Sequence, residues 1–478
     1  MTFRLKLTIL FIIPMYSLLA QPGNYWSMGS NTEASILSGA VVGGGSGITS
    51  IYYNPAGIAE LDENKISIDA SLFQFNLSNY KNAYRNGVDE SYLDYQAMPR
   101  FFSFVYHTKS IPDLSIQYAV FSRGQHLQKL NGSGGSVVKE SFTGHKKNYS
   151  TNYTYENRYS DTWFGIGSAY KINEQWTIGY SLLASTKIFL YYENNSIDLI
   201  PINDSITEVS KYVYYDRQDS YIISIINKLG VHYKIKDWSF GLNISLPSMR
   251  LYGDGYHRRE VSMTNIILED GPVDDFIQKE TNYHIKADFK EPLSIAFGLV
   301  KENTNNKTNL YFSTEYFFPI DTYKSIDNSQ VASFYIDEYQ PGTSFLTYEY
   351  SAKSVLNVAF GLKKSLSNNV ALMGGIKTDF ASNKLSDFKN IEYAQYIRGY
   401  SNLYYITAGA RFDIKKANVL IGLQYSLGIA KDIYQFRNFE YPGVYDTEHY
   451  YALQGYPEAK MHYVNNGLGI YLGLAFNF

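Results

Sequence analysis

The chain has 478 residues, of which 45% are hydrophobic and 17% aromatic, including 47 tyrosines; its formal net charge is −3 and it has no cysteine. Dispersed Lys and Arg with no basic stretch exclude a nucleic-acid footprint, and the lack of Cys excludes a disulfide framework. After residue 20 no run of about 18 apolar residues occurs, which excludes helical membrane spanning.

Residues 1–20 read as a secretory signal peptide. Arg4 and Lys6 supply the basic start, Leu7 to Leu19 an apolar stretch too short for an anchor, and Ala20 a cleavage position. An exported chain without disulfides needs another source of stability. A closed β-barrel, in which no strand edge stays unpaired, provides one.

Residues 21–62 are rich in Gly, Ser, Ala and Asn and too few to form an independent domain. Apolar Ile48, Ile51, Tyr52, Tyr53 and Ile58 argue against a solvated tail, so the segment is expected to fill the lumen of a large barrel as an N-terminal plug. Its glycine cluster, 43–47, has neither the following Lys-Ser/Thr nor the strand–helix context of a phosphate loop; it reads as plug backbone.

From residue 63 to residue 478 the pattern is that of a transmembrane antiparallel barrel. Polar turns fall around 111–113, 172–174, 235–237, 304–306, 366–368 and 415–417, roughly 60 residues apart, as hairpins with short inner turns and long outer loops would be. Segments of strict alternation flank them: Ile178, Tyr180 and Leu182; Leu356, Val358, Phe360 and Leu362; Ile421, Leu423, Tyr425, Leu427 and Ile429. The chain stops on such a segment, with Leu468, Ile470, Leu472, Leu474, Phe476 and Phe478 on one face. The expected fold class is therefore all-β, a barrel of about fourteen strands, the first from about residue 65 to 77 and the last from about 466 to 478, with both termini periplasmic. The segments 124–157, 189–218, 249–283, 319–350 and 431–462 read as polar, Tyr-rich outer loops.

Inside the plug, Asn54-Pro55-Ala56-Gly57 is followed by Ile58, Ala59 and Leu61 and then directly by the first strand. Pro55 fixes its own φ and biases Asn54 towards an extended conformation. The Asn54 amide suits bonding to backbone groups otherwise unsatisfied in the lumen, and Gly57 is expected to allow a sharp reversal. With this motif, its position before the first strand and the strand count, the chain resembles the FadL family, outer-membrane transporters of long-chain fatty acids and aromatic hydrocarbons. The resemblance implies a fourteen-stranded barrel with a hatch carrying this Asn-Pro-Ala element. It also implies passive transport of hydrophobic small molecules without enzymatic activity, cofactor or metal. Ligand docks on apolar outer loops, passes a rearranging hatch and leaves through a gap made by a kinked third strand. That strand falls here at about 113–123 and has no internal Gly or Pro.

Asn54, Pro55, Ala56 and Gly57 are thus the candidate gating residues, and Ile51, Tyr52, Tyr53 and Ile58 the candidate ligand contacts of the hatch. The outer-loop groove of the family would correspond to Leu199, Ile200, Ile266, Ile267, Leu268 and Phe276, although loop residues packing on one another explain the same pattern. Glu269, Asp270, Asp274 and Asp275 read as a solvated acidic loop. No His-x-x-x-His or Gly-x-Ser-x-Gly element is present. Expected partners are a hydrophobic small molecule and outer-membrane lipid. A second reading is a PorV-type FadL-like barrel that serves as a protein-secretion shuttle or scaffold, for which Tyr-rich loops would offer an interface to a secreted protein.

Overall fold

The computed structural model describes residues 23–26, 31–61, 66–69, 72–98, 101–107, 110–140, 142–202, 208–328, 346–383, 401–414, 417–441 and 443–476. The expected signal peptide, residues 1–20, lies outside them. The strands are β1 (Ile66–Asp69 and Leu72–Lys81), β2 (Glu90–Met98 and Phe101–His107), β3 (Leu114–Lys139), β4 (Lys146–Lys171), β5 (Trp176–Pro201) and β6 (Ser210–Ile235). They continue with β7 (Trp238–Ser245 and Met249–Thr264), β8 (Phe276–Ala287 and Ser294–Asn303), β9 (Thr308–Phe317 and Ile320–Asp327) and β10 (Tyr348–Ala352 and Val355–Ser365). The last four are β11 (Val370–Asp379), β12 (Asn402–Ile414), β13 (Ala417–Ile433) and β14 (Met461–Phe476). Each pairs antiparallel with its sequence neighbours, and β1 pairs with β14, at Ile68↔Leu474 and Phe75↔Leu468, so the described strands form a ring.

Strands meet at all six places where the polar clusters predict short turns, each time an even-numbered strand and the next. Alternation sets the faces. Ile178, Tyr180, Leu182, Leu356, Phe360, Ile421, Leu423, Leu468, Leu472 and Leu474 point outward and are exposed, whereas inward positions between them are small or polar, such as Ser181, Ser185, Lys228 and Asn243. An exposed apolar band of this kind is what a bilayer covers.

β3 to β6 contain 26 residues each, more than twice the 9–11 or so that a tilted spanning strand needs. Much of the segments 124–157, 189–218 and 249–283, expected as loops, is therefore strand. The signal was masked by tyrosine. On β4, Tyr149, Tyr153, Tyr155 and Tyr159 face inward and alternate with Asn152, Thr154, Glu156 and Arg158 outside, so both faces look polar in sequence while the wall stands clear of the apolar band.

Candidate functional site

The plug expected at the N-terminus occupies the lumen. It consists of α1 (Thr32–Ile36), a 3-10 turn Gly47–Thr49, α2 (Ser50–Tyr53) and a 3-10 segment Pro55–Glu60. Asn54 is extended (φ −158°, ψ 104°) and caps the last segment through its side chain, with Pro55 in the first helical position, where the missing N–H costs nothing. The Asn54 amide accepts from the Ala56 N–H at 3.2 Å and donates to Val42 O at 3.0 Å and to Val231 O on β6 at 3.1 Å. One side chain thus fixes the turn, the preceding plug segment at Val42 and the wall. Gly57 does not reverse the chain. It lies inside the 3-10 segment, and a Cβ there would sit 2.8 Å from Ser50 Oγ; close packing is its requirement.

The wall is hollowed to receive this motif. Gly179 on β5, Gly230 on β6, Gly241 on β7 and Gly298 on β8 are neighbours, in register at Gly179↔Gly230 and Gly298↔Gly241. Cβ atoms at these four would overlap, respectively, the Pro55–Ala56 peptide, Asn54 Oδ1, Val42 O and Gly43 N. Glycine lets two backbones approach where any side chain would separate them.

Polar wall side chains cap the plug's carbonyls. Arg123 on β3 donates to Tyr25 O, Lys377 on β11 to Trp26 O at 2.5 Å, Lys228 on β6 to Tyr52 O at 2.8 Å and Gln117 on β3 to Ile48 O at 2.5 Å. Thr407 on β12 donates to Ile36 O at 2.5 Å, and His232 on β6 sits 3.1 Å from Gly43 O and 3.0 Å from Glu60. Trp26 also donates through its backbone to Asp379 and through Nε1 to Glu315 at 2.7 Å. Asp379 ends β11 at the side away from the short turn 366–369, so the described start of the plug, Asn24–Trp26, lies towards that side of the lumen.

At the mouth away from the short turns, the chain between β13 and β14 folds in as a lid. Phe436 packs among Tyr80, Tyr84, Tyr153 and Tyr155. Arg437, fully buried, pairs with the equally buried Glu193 of β5 at 2.7 Å, beneath the rings of Tyr153, Tyr214 and Tyr451. Tyr149 OH donates to Leu453 O and Tyr212 OH to Tyr450 O. Beside this lid, Asp216 of β6 receives His257, Arg259 and Tyr348 at 2.8, 2.8 and 2.6 Å. Burial pushes the Asp216 carboxyl up, but Arg259 and His257 outweigh it and hold the group well below the usual carboxylate range.

Between mouth and plug the described β2–β3 ladder stops. β2 and β3 pair from His107↔Ser115 to Phe101↔Phe121. Beyond that point Glu90–Met98 pairs with β1, and the distal half of β3 with β4, with no described pairing between them. At this level the β3 register shifts between Ser122 and Gly124. Arg123, the extra residue, turns inward over Tyr52 (5.5 Å) and Trp163 (5.7 Å). The expected third strand, ending near 123 without a Gly, is thus corrected: it runs to Lys139 and bulges against Gly124.

Of the residues singled out by sequence, Asn54, Pro55, Ala56 and Gly57 form the plug–wall joint. Ile51, Tyr52 and Ile58 are buried in a cluster with Phe101, Phe121 and Trp163, and Tyr53 packs against its edge. Leu199 and Ile266 are buried in the core beneath the lid, with Leu268 and Phe276 packed on it. Ile200 points outward and is exposed. Ile267 is half-buried in a small ladder, Ile267–Leu268 with Gly271–Pro272. Sequence reasoning missed Arg123, Lys228, Lys377, Glu193 and Arg437. A charge within an alternating spanning segment is the signal that would have found Lys228 and Lys377.

No family model matches the chain, and no curated protein sequence matches it. Solved structures do. The toluene transporter TodX of P. putida superposes with a TM-score of 0.54 at 13% identity over 95% of this chain and 99% of its own. A Pseudomonas aeruginosa FadL homologue gives 0.53 at 9% identity over 97% and 100%, and the monoaromatic hydrocarbon channel CymD 0.52 at 10% over 94% and 98%. The fold of the chain is that of the FadL-type barrels.

Proposed function

We propose that the protein is an outer-membrane channel for passive uptake of apolar small molecules. The observation that carries this reading is a lumen that holds a plug bonded to the wall and a lid segment packed above it, with the β2–β3 ladder lapsing between them. A cargo that enters under the lid has a short way out through the wall, where Leu93 and Tyr95 of β2 are exposed to the bilayer side. Transfer of apolar area, about 25 cal/mol per Å², drives each step and no energy source is needed. The fold shared with a toluene transporter and a hydrocarbon channel supports the same cargo class. Both faces of the interruption are aromatic, with Phe101, Phe121, Trp163 and Tyr52 inside, in keeping with an apolar route.

The secretion-scaffold reading drew on tyrosine as interface material. Tyr149, Tyr153, Tyr155, Tyr191, Tyr212 and Tyr214 are instead buried against the lid, as is Tyr451 within it. The test is to purify the protein in mild detergent, extract it and identify bound molecules by mass spectrometry, alongside uptake of labelled hydrocarbons by cells with and without the gene. A stoichiometric apolar molecule and gene-dependent uptake are expected. A co-purifying secreted polypeptide, with uptake unaffected by deletion, would refute the channel.

A further inference from the structure

One stretch of the wall leaves the regular ladder. Around the ring, β8 pairs with β7 and β9 below Ser294 and again above Ala287, but residues 288–293 pair with neither. Pro292 has no N–H to give to a ladder. Several of the other backbone groups are met locally: Asp288 N donates to Ser325 O, Lys290 N to Tyr323 OH, Ser248 N to Glu291 O, and Phe318 N to Leu293 O.

Phe289 and Glu291 of this segment reach across the lumen. Phe289 stacks on Tyr159 of β4 (centroids 5.5 Å, planes 23° apart). Strands β5, β6 and β7 separate β8 from β4 along the wall, so the contact spans the interior. Lys187 of β5 pins it, with its ammonium 5.2 Å from the Phe289 ring and 3.2 Å from the Glu291 carboxylate. Tyr159 in turn is in register with His126 and lies 3.4 Å from where a Cβ on Gly124 would be. The bridge therefore lands on the bulge of β3, at the edge of the wall interruption.

We propose that the Phe289–Tyr159 pair is the size filter of the pathway, set by the inward fold of 288–293 and held by Lys187 and Glu291. The inference rests on the channel reading above. Cargo moving from the lid to the β2–β3 interruption must wedge between the stacked rings. A single chain or flat ring slides between them, whereas a thick, rigid hydrocarbon would have to displace the whole segment. Lys187 and Glu291 act on the pair by position and need not touch cargo.

The test compares n-decane with decalin, equal in carbon number and different in cross-section, in uptake by cells carrying the full-length protein. The native protein is expected to prefer n-decane. Phe289→Ala is expected to lower the decane:decalin ratio by roughly ten-fold or more, the scale of a filled against an emptied apolar slot. Tyr159→Ala should act in the same direction, and Phe289→Tyr should keep the native ratio. Phe289→Leu, which retains bulk and folding contacts, should give an intermediate ratio if the alanine variants fail to assemble. Native uptake of decane with an unchanged ratio in the variants overturns the filter and leaves the channel standing. No protein-dependent uptake of either probe by the native protein overturns the channel reading and the filter with it.

Discussion

Asn54→Ala isolates the joint between plug and wall. The substitution removes the acceptor for the Ala56 N–H and the donor to Val42 O and Val231 O. Loss of an N-cap costs about 1 kcal/mol. Val42 O is left as a buried acceptor without that amide, worth about 1–3 kcal/mol, while Val231 O lies within the β6–β7 ladder and loses less. The plug should therefore open locally with roughly 2–4 kcal/mol less resistance, or about 30- to 900-fold more often. Hydrogen exchange of peptides covering 42–60 in the mature barrel reads this directly. Asn54→Asp separates the two roles: it keeps the acceptor but sets a carboxylate oxygen against two carbonyls, and should be at least as disruptive. If exchange over 42–60 stays within about threefold of native in both variants while the barrel remains folded, the Asn54 joint does not hold the plug.

Gly230→Ala and Gly241→Ala push a methyl into Asn54 Oδ1 and Val42 O; both should raise exchange in 42–60 while leaving the outer band folded, and native-like protection would show that the glycine belt is not needed for docking. Arg437→Met leaves Glu193 buried without its partner, a loss of about 3–5 kcal/mol, and should expose peptides 434–456 to exchange. Adding Glu193→Gln should restore some of that loss, and a double-mutant cycle with no coupling would dismiss the latch. Asp216 is depressed in the folded protein by Arg259 and His257 despite burial, so its contribution is present above the unfolded value of about 3.9 and fades as pH falls below it. Thermal midpoints of the native protein should drop on acidification below about pH 4. Asp216→Asn should be less stable at neutral pH and lack that share of the slope; an equal slope in both would assign it to other groups.

The sequence carried the barrel because turns and apolar alternation are local and periodic. The six short turns and the outward faces of β5, β10, β13 and β14 follow from them directly. It carried the Asn54 motif for the same reason, since capping is a matter of adjacent residues. It did not carry the height of the wall, where tyrosine lines the inside and polar residues the outside. Nor did it carry the Arg437–Glu193 pair, whose members are 244 residues apart. The glycine belt is visible in sequence only as scattered glycines, because its meaning lies in the register of β5 to β8. The β3 interruption needed the bulge at Arg123, which pairing with β4 defines and which no local pattern marks.

Those wall–plug bonds bear on how cargo leaves. Three cationic donors reach plug carbonyls, from Arg123, Lys228 and Lys377, and Gln117, Thr407, His232 and Asn54 add further contacts. At about 1.5–3 kcal/mol for bonds to charged groups and 0.5–1.5 for the others, expelling the plug costs on the order of 10 kcal/mol. A small cargo that buries roughly 200–300 Å² of apolar area supplies about 5–7 kcal/mol, and it shifts an equilibrium only by its differential affinity for the two states. On the proposed channel reading, cargo binding is therefore too weak to drive the plug out, and exit is expected to proceed beside a seated plug. The chain has no cysteine, so a lock can be added cleanly. A Cβ on Gly361 of β10 would lie 3.4 Å from the Cβ of Leu37, close to the roughly 3.5–4.5 Å of a disulfide. Leu37→Cys with Gly361→Cys, once oxidised, should retain hydrocarbon uptake within about twofold of the same protein reduced, because a lateral route leaves the plug in place. Uptake lost on oxidation and regained on reduction would mean that the plug itself must move out of the lumen.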